Sequence, residues 1–526
     1  MRSRKINEKT RPFKPRSHDF KTVQIRTESS GFALKTLIIT LIILGQLAFF
    51  IYLHVRFAMA SKWWSVACFM MSVVTCVYVL SSNKNGLSKA VWIMFLLLCF
   101  EFSVPIYFLS DERLFFRKAK KRYAEVFDRT DCFIQANQPS TEQGNIAGEC
   151  KYLYTAGKFT AYNNTEVKYF PSGYLFYESL IEQIKTAKEF IFLEYYIVSD
   201  GVLFKRIYEQ LCKKVSQGVS VRLIYDDMGS HRGLKRKVKK MLKSAGIKFM
   251  PFNKLVPVFA VGLNYRDHRK ITVIDGKVAF TGGCNLADEY INEKRMHGYW
   301  KDSGVRLEGL AVDGFTLAFL RQWEYLTGVK EDYLPFLNKA ELKKNTSCVV
   351  PYVDGPEYKL PIGKNVYENL IAGANERLYI MTPYFIPDDS FAFLLANKAL
   401  SGVDVRIIIP DIPDKSYVYS VSRNNAEKLI ECGVKVYIMK NAFVHAKTVM
   451  SEKAVSTGSI NVDLRSFYQQ FESAIVTDDK KVILDVEKDF NQTFKKCILL
   501  DKNNLKRKNL FNRIKSGVMQ IIAPFM

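Results

Sequence analysis

Two stretches of this chain follow the same course, and that repeat limits the possible folds more than any other feature. In the first, apolar spacing predicts a helix over residues 176–187 and a strand over 190–198. A second helix over 203–216 then leads through Gly218 to a strand over 219–225. In the second, helices are expected over 365–374 and 390–399, with strands over 378–385 and, after Gly402, 403–410. Strands alternating with helices predict βαβ units around a largely parallel sheet. The polar start of 339–350 marks the junction between the copies.

Each copy then reaches a histidine and a lysine two positions apart. The first motif reads His268-Arg269-Lys270, with Asp275-Gly276 after a β-branched run and Gly282-Gly283-Cys284-Asn285 beyond. The second reads His445-Ala446-Lys447, followed by Glu452 and Gly458-Ser459-Ile460-Asn461. Side chains two apart on a strand share a face, so each histidine projects beside its lysine. A lone HxK means little. Two copies at equivalent places, each trailed by a small-residue pair and an asparagine, use two of only six histidines in the chain.

Such a set suits phosphodiester chemistry without a metal or cofactor. One imidazole attacks phosphorus and the other protonates the leaving alkoxide, after which the second activates the incoming hydroxyl. Lys270, Lys447, Asn285 and Asn461 are expected around the non-bridging oxygens, with Gly283 and Ser459 allowing close approach. Each histidine also needs a partner that fixes its tautomer. Asp302 follows the first histidine and Glu472 the second at similar spacing, which pairs Asp302 with His268 and Glu472 with His445. As single acids, both could equally be surface salt-bridge partners.

The 526 residues carry a net charge of +25, from 77 Lys and Arg against 52 Asp and Glu, which favours a polyanionic partner. Charge alone does not choose between nucleic acid and an anionic membrane. Residues 1–35 are basic, and three apolar runs follow at 37–53, 63–80 and 90–109, each of a length to cross a bilayer. Basic residues flank both ends of this region, so the number of true crossings stays open. The 10 cysteines show no metal-binding spacing and are expected as free thiols. Residues 504–526 mix apolar and basic residues as an interfacial helix does.

The two motifs resemble the phospholipase D superfamily, whose signature is HxKxxxxD followed by GGxN or GSxN. Within it the chain is most similar to bacterial cardiolipin synthases, on Phe192-Leu193-Glu194-Tyr195-Tyr196, Asn264–Lys270, Thr382–Asp388 and Asn461–Phe467. The resemblance implies an α/β fold: N-terminal transmembrane helices, then two pseudo-twofold-related phospholipase D-like domains sharing one active site. The corresponding divisions are a basic tail (1–35), a transmembrane region (36–110), a basic linker (111–165), the two domains (166–340 and 341–503) and the C-terminal segment (504–526). It implies conversion of two phosphatidylglycerol molecules to cardiolipin and glycerol, with anionic membrane lipids and no nucleic acid as partners. It further implies a multi-pass protein of the bacterial cell membrane with its catalytic domains cytoplasmic, and His268 as nucleophile with His445 as acid/base. Asp275 and Glu452 are carried over with the catalytic set. The second motif departs from the signature, because its turn is one residue shorter; counted back from Gly458, Ser451 rather than Glu452 takes the acid's place. The same residues would serve a hydrolase of the phospholipase D type, in which water is the acceptor. A superfamily nuclease would not need three apolar runs, and a non-catalytic lipid-binding scaffold is favoured only by the altered acid.

Overall fold

The computed structural model describes residues 63–82, 86–110, 112–134, 144–254 and 265–501, with scattered positions between 45 and 59. The basic tail and the C-terminal segment lie outside the described residues, as does most of the first apolar run.

The first copy contributes eight strands: β1 (Thr165–Phe170), β2 (Phe190–Tyr195), β3 (Ser220–Asp226), β4 (Lys248–Phe252), β5 (Lys270–Ile274), β6 (Val278–Gly282), β7 (Tyr299–Lys301) and β8 (Gly304–Gly309). Seven form one sheet in the order β1-β8-β6-β5-β2-β3-β4. The second copy contributes β9 (Val349–Asp354), β10 (Arg377–Met381), β11 (Phe385–Ile386), β12 (Asp404–Pro410), β13 (Lys435–Met439), β14 (Ala442–Val444), β15 (Thr448–Ser451), β16 (Val455–Gly458), β17 (Val462–Asp463), β18 (Glu472–Thr477) and β19 (Cys497–Leu499). Its main sheet runs β9-β18-β16-β15-β10-β12-β13-β19, strand for strand the order of the first with one edge strand added.

The helices fall where the periodicity places them. Gly173–Thr186 and Val202–Ser216 cover the first sheet, and Ile362–Gly373 and Asp389–Leu400 the second. Val202–Ser216 buries Leu203, Phe204, Ile207 and Leu211, the spacing of a one-sided apolar stripe. Ser172 and Asp388 cap Gly173–Thr186 and Asp389–Leu400 by accepting hydrogen bonds from the N–H groups of Leu175 and Phe391.

The sheets are mixed rather than largely parallel. β2, β3 and β4 are parallel, whereas β5, β6, β8 and β1 pair antiparallel. The parallel half is built through crossover helices. The antiparallel half begins where the strand after each HxK motif turns straight back on itself, and a tight hairpin can only pair antiparallel. Asp275 (φ 52°) and Gly276 (φ 63°) supply the two left-handed residues of the first turn.

The copies meet along β6, β8, β16 and β18. There Thr281 and Ser473 hydroxyls lie 3.1 Å apart, and Ser303 and Thr448 hydroxyls 3.3 Å. One apolar cluster runs through both copies, taking Phe192 and Val305 from one and Met381, Val455 and Ile475 from the other.

Ahead of the sheets, a helix over Trp64–Leu80 packs on Gly86–Leu98 and Phe100–Ser110. The third apolar run is therefore interrupted at Cys99, with Pro105 inside the latter piece. Cys76, Val79, Trp92, Leu96, Val104 and Tyr107 form their shared core, while Phe69, Met70, Met71, Val74 and Val77 stay exposed. Among the described residues no helix is long and apolar enough to cross a membrane. All 10 cysteines are free, Cys150 and Cys348 lying with sulfurs 3.4 Å apart.

Candidate active site

Both HxK motifs sit at the junction between the copies, and each histidine is held by a carboxylate from the other copy. His268 Nδ1 lies 2.9 and 3.0 Å from the two Glu472 oxygens. His445 Nδ1 lies 2.6 Å from Asp302 Oδ2. Both acids lie against a histidine, but not in the order the sequence implied: Asp302 contacts His445, and Glu472 contacts His268.

The backbone explains the exchange. β14, just before His445, runs parallel to β7, just before Asp302, and His445 N–H donates to Lys301 O at 2.7 Å. The pseudo-equivalent bridge joins Asp267 to Phe471, and His268 N–H donates to Phe471 O at 2.8 Å. Each histidine is thus pinned by two groups of the partner copy. Neither half-site is complete alone.

A carboxylate at Nδ1 takes the Nδ1–H and leaves Nε2 with its lone pair, the tautomer a nucleophile or base needs. Lys447 Nζ also lies 2.8 Å from His445 Nδ1. One nitrogen cannot donate to Asp302 and accept from an ammonium at once, so the shorter carboxylate contact fixes the tautomer. The lysines also donate to the carbonyls of their own histidines, Lys270 to His268 O and Lys447 to His445 O.

Burial sets the charge states. It takes Lys270 down to about 7 and Lys447 to about 8, with Glu472 and Asp302 partly opposing. Burial and the neighbouring Lys270, Lys447 and Arg465 charges hold His268 well below the ordinary imidazole range. Burial and Lys447 take His445 down to about 3 against the pull of Asp302. Burial lifts Glu472 to about 7, against Lys270 and the hydroxyls of Ser459 and Ser466. A phosphodiester bound between these lysines would add a negative charge and favour their ammonium forms.

The small residues do a different task from the one expected of them. A Cβ on Gly283 would sit 2.0 Å from Asp302 Oδ1, so the glycine makes room for the orienting carboxylate. Ser459, its counterpart, instead donates its hydroxyl to Glu472 and accepts from Ser473 N–H at 2.9 Å. Ser466, given no role by sequence, donates to the other Glu472 oxygen at 2.5 Å. It lies in the Asn461–Phe467 stretch, whose spacing to Glu472 gave no sign of the contact.

The asparagines also part company. Asn285 is spent on the scaffold: its Oδ1 accepts from Ile197 N–H at 3.0 Å and its Nδ2 donates to Tyr290 at 2.6 Å. Asn461 lines a cavity of about 90 Å³ together with Tyr196, His268, Tyr384, Lys415 and Arg465. Trp300 and Tyr290 stand against the His445 ring, 5.2 and 5.3 Å between centroids.

Asp275 and Glu452, carried over with the catalytic residues, do not reach the histidines. Asp275 lies five residues along the strand from Lys270, about 17 Å at 3.3 Å per residue. Its carboxylate accepts from the N–H groups of Lys188, Glu189 and Phe190 at 2.7, 2.8 and 2.8 Å. Glu452 accepts from Asn375, Glu376 and Arg377 at 2.9, 3.3 and 3.3 Å, the equivalent start of β10. The acid of the second motif is therefore Glu452, and Ser451 caps the shortened turn by accepting from Lys453 and Ala454. The extra methylene of glutamate spans what the shorter turn leaves open. Against burial, the three N–H groups hold Glu452 below the ordinary carboxylate range.

A duplicated α/β sheet whose two HxK motifs meet at one centre defines a protein of the phospholipase D type. Residues 180–296 and 367–494 match a family model described as the cardiolipin synthase, PLD-like domain. The chain is 34% identical over 366 residues to a cardiolipin synthase of Listeria welshimeri, covering 69% of this chain and 76% of that protein. A cardiolipin synthase of Clostridium perfringens is 33% identical, over 70% of this chain and 78% of the relative. An uncharacterised protein of Streptococcus mutans is 36% identical over 86% of this chain and 99% of its own length. The fold also matches the crystal structure of a phosphatidylserine synthase from Haemophilus influenzae, with a TM-score of 0.53 at 17% identity, over 68% of this chain and 93% of the other. The chain belongs to the cardiolipin synthase family of phospholipase D-like proteins. It is a phosphatidyltransferase of that type.

Proposed function

We propose that the enzyme joins two phosphatidylglycerol molecules into cardiolipin and glycerol through a phosphatidyl-histidine intermediate. The observation that carries this is the pair of carboxylate-held imidazoles, each tautomerically set to expose Nε2 and each beside a lysine. His268 Nε2 attacks phosphorus and forms a P–N bond as the P–O bond to glycerol breaks. His445, which gains its proton once the anionic diester sits between the lysines, passes it to the departing glycerol oxygen. His445 then takes the proton of the second lipid's hydroxyl, the new P–O bond forms, and the P–N bond to His268 breaks. Lys270 and Lys447 carry the charge on the non-bridging oxygens.

Membrane association follows from the lipid substrate. The exposed Phe69, Met70, Met71, Val74 and Val77 offer a lipid-facing surface, and the net charge of +25 suits an anionic bilayer.

Vesicles of head-group-labelled phosphatidylglycerol test the reading. Cardiolipin with released glycerol is the expected result, and phosphatidic acid as the main product would replace transfer with hydrolysis. The rate should also fall with alkalinity. An ammonium is charged below its pKa and loses that charge above it, so kcat/KM drops through about pH 7–8, where Lys270 and Lys447 titrate in the free enzyme. Bound phosphodiester favours the charged lysines, so the alkaline limb of kcat lies at higher pH. Identical limbs in the two profiles would remove the lysines from phosphate binding.

A further inference from the structure

We propose that the cavity beside His268 seats a second glycerophosphodiester head group, held while the first is under attack. Arg465 and Lys415 take its phosphate, and Asn461 takes one of its glycerol hydroxyls. The inference rests on the two-lipid reading above and adds where the second lipid is recognised.

The site is built from two unlike halves where the fold is symmetric. The cavity wall is Tyr196 and His268 from the first copy, and otherwise residues 384–470 of the second. Arg465 lies four residues beyond Asn461, and its buried Nε has no hydrogen-bond partner. The first copy has acids in the matching stretch after Asn285. Asp288 there is consumed capping the helix Val202–Ser216, accepting from Val202 and Leu203 N–H at 3.0 and 2.9 Å. Beyond the two motif lysines, the cations that line this cavity, Lys415 and Arg465, both come from the second copy.

Asn461 adds a second, independent feature. It is 5% exposed, and its Oδ1 has no hydrogen-bond partner, while its amide hydrogens engage Asp463. Its counterpart Asn285 has both ends satisfied within the protein. A buried amide oxygen with no donor is costly unless a ligand supplies one, and a glycerol hydroxyl can. Asp463 is the one carboxylate in the wall. It is occupied by Ser466 N–H at 2.7 Å and by Asn461, which limits its repulsion of an anion. Tyr384 donates its hydroxyl to Asp414, leaving Lys415 exposed at the rim. The reacting centre already has Lys270 and Lys447 for one phosphate, so further cations beside it fit a second. In cardiolipin two phosphates are bridged by one glycerol, which is the pattern of groups this wall offers.

The test lets two acceptors compete for the same intermediate. Vesicles of phosphatidylglycerol are supplied with ethanol, and cardiolipin and phosphatidylethanol are measured together. Arg465→Gln and Lys415→Gln are expected to lower the cardiolipin-to-phosphatidylethanol ratio roughly tenfold, the loss of a charge-assisted contact to one acceptor. Arg465→Lys should keep more of the ratio than Arg465→Gln, and Asn461→Ala should lower it. Phosphatidylethanol formed by each variant shows that it is folded and competent. If both products fall in step and the ratio holds, the subsite is overturned while the two-lipid reading stands. If the unaltered enzyme yields phosphatidylethanol but no cardiolipin, that reading fails and the subsite fails with it.

Discussion

Asp302→Asn enzyme given a phosphatidyl ester of p-nitrophenol will release a burst of nitrophenolate and then nearly stop, with phosphorus held on His268. Glu472→Gln enzyme will give no burst. Nitrophenolate is a stable leaving group and needs no proton, so on the proposed roles the first step depends on His268 and its orienting carboxylate alone. Glu472 holds His268 Nδ1 from the other copy, and an amide in its place no longer enforces the reactive tautomer. On the proposed roles the second step uses His445 as base, and Asp302 is the group that holds its Nδ1. Loss of general-base assistance costs roughly 10²- to 10⁴-fold, which makes the burst and the steady state easy to separate. The pairing implied by sequence order gives the opposite pattern: Asp302→Asn would lose the burst and Glu472→Gln would keep it. An acid-labile adduct found on His445 instead would exchange the roles of the two histidines.

Asp275→Ala will destabilise the first copy by about 3–5 kcal/mol, an effect on folding rather than on the chemical step. Three backbone N–H groups at the start of β2 lose a charged acceptor, and hydrogen bonds to charged groups contribute about 1.5–3 kcal/mol each before relaxation and hydration offset part of the loss. Asp275 is buried and has φ 52°, a conformation that aspartate and asparagine tolerate better than alanine. Asp275→Asn keeps one acceptor oxygen and should lose about half as much. Glu452→Gln should cost less still, because its contacts are longer and partly exposed. The measurement is the urea midpoint at unchanged slope, set beside kcat of the enzyme that remains folded. A large fall in kcat with unaltered stability would return Asp275 to the reacting centre.

Much of the fold was legible because it is local. The helices Gly173–Thr186 and Val202–Ser216, and the strands β2 and β3, follow from apolar spacing and lie within a few residues of where that spacing puts them. The mixed sheet was missed although its signal was present. Asp275-Gly276 marks a hairpin, and a hairpin after each HxK strand makes that half of the sheet antiparallel. The third apolar run was read as one unbroken segment, whereas its helix is interrupted at Cys99.

His268, Lys270, His445, Lys447, Asp302, Glu472 and Asn461 were all named by the sequence, because residue type and repetition carry the chemistry. Which acid serves which histidine was not, since both acids lie at similar spacing and nothing local separates them. Only the packing of β7 on β14, and of Asp267 on Phe471, brings each carboxylate across to the other copy. Asn285 and Asn461 are likewise identical in motif and different in use: the distant Ile197 and the nearby Tyr290 satisfy Asn285, whereas the Asn461 Oδ1 has no partner. Sequence named the histidines, the lysines and the two acids beside them. Tertiary structure decided the pairing, because contacts between distant strands are set by burial and backbone hydrogen bonding across the copies.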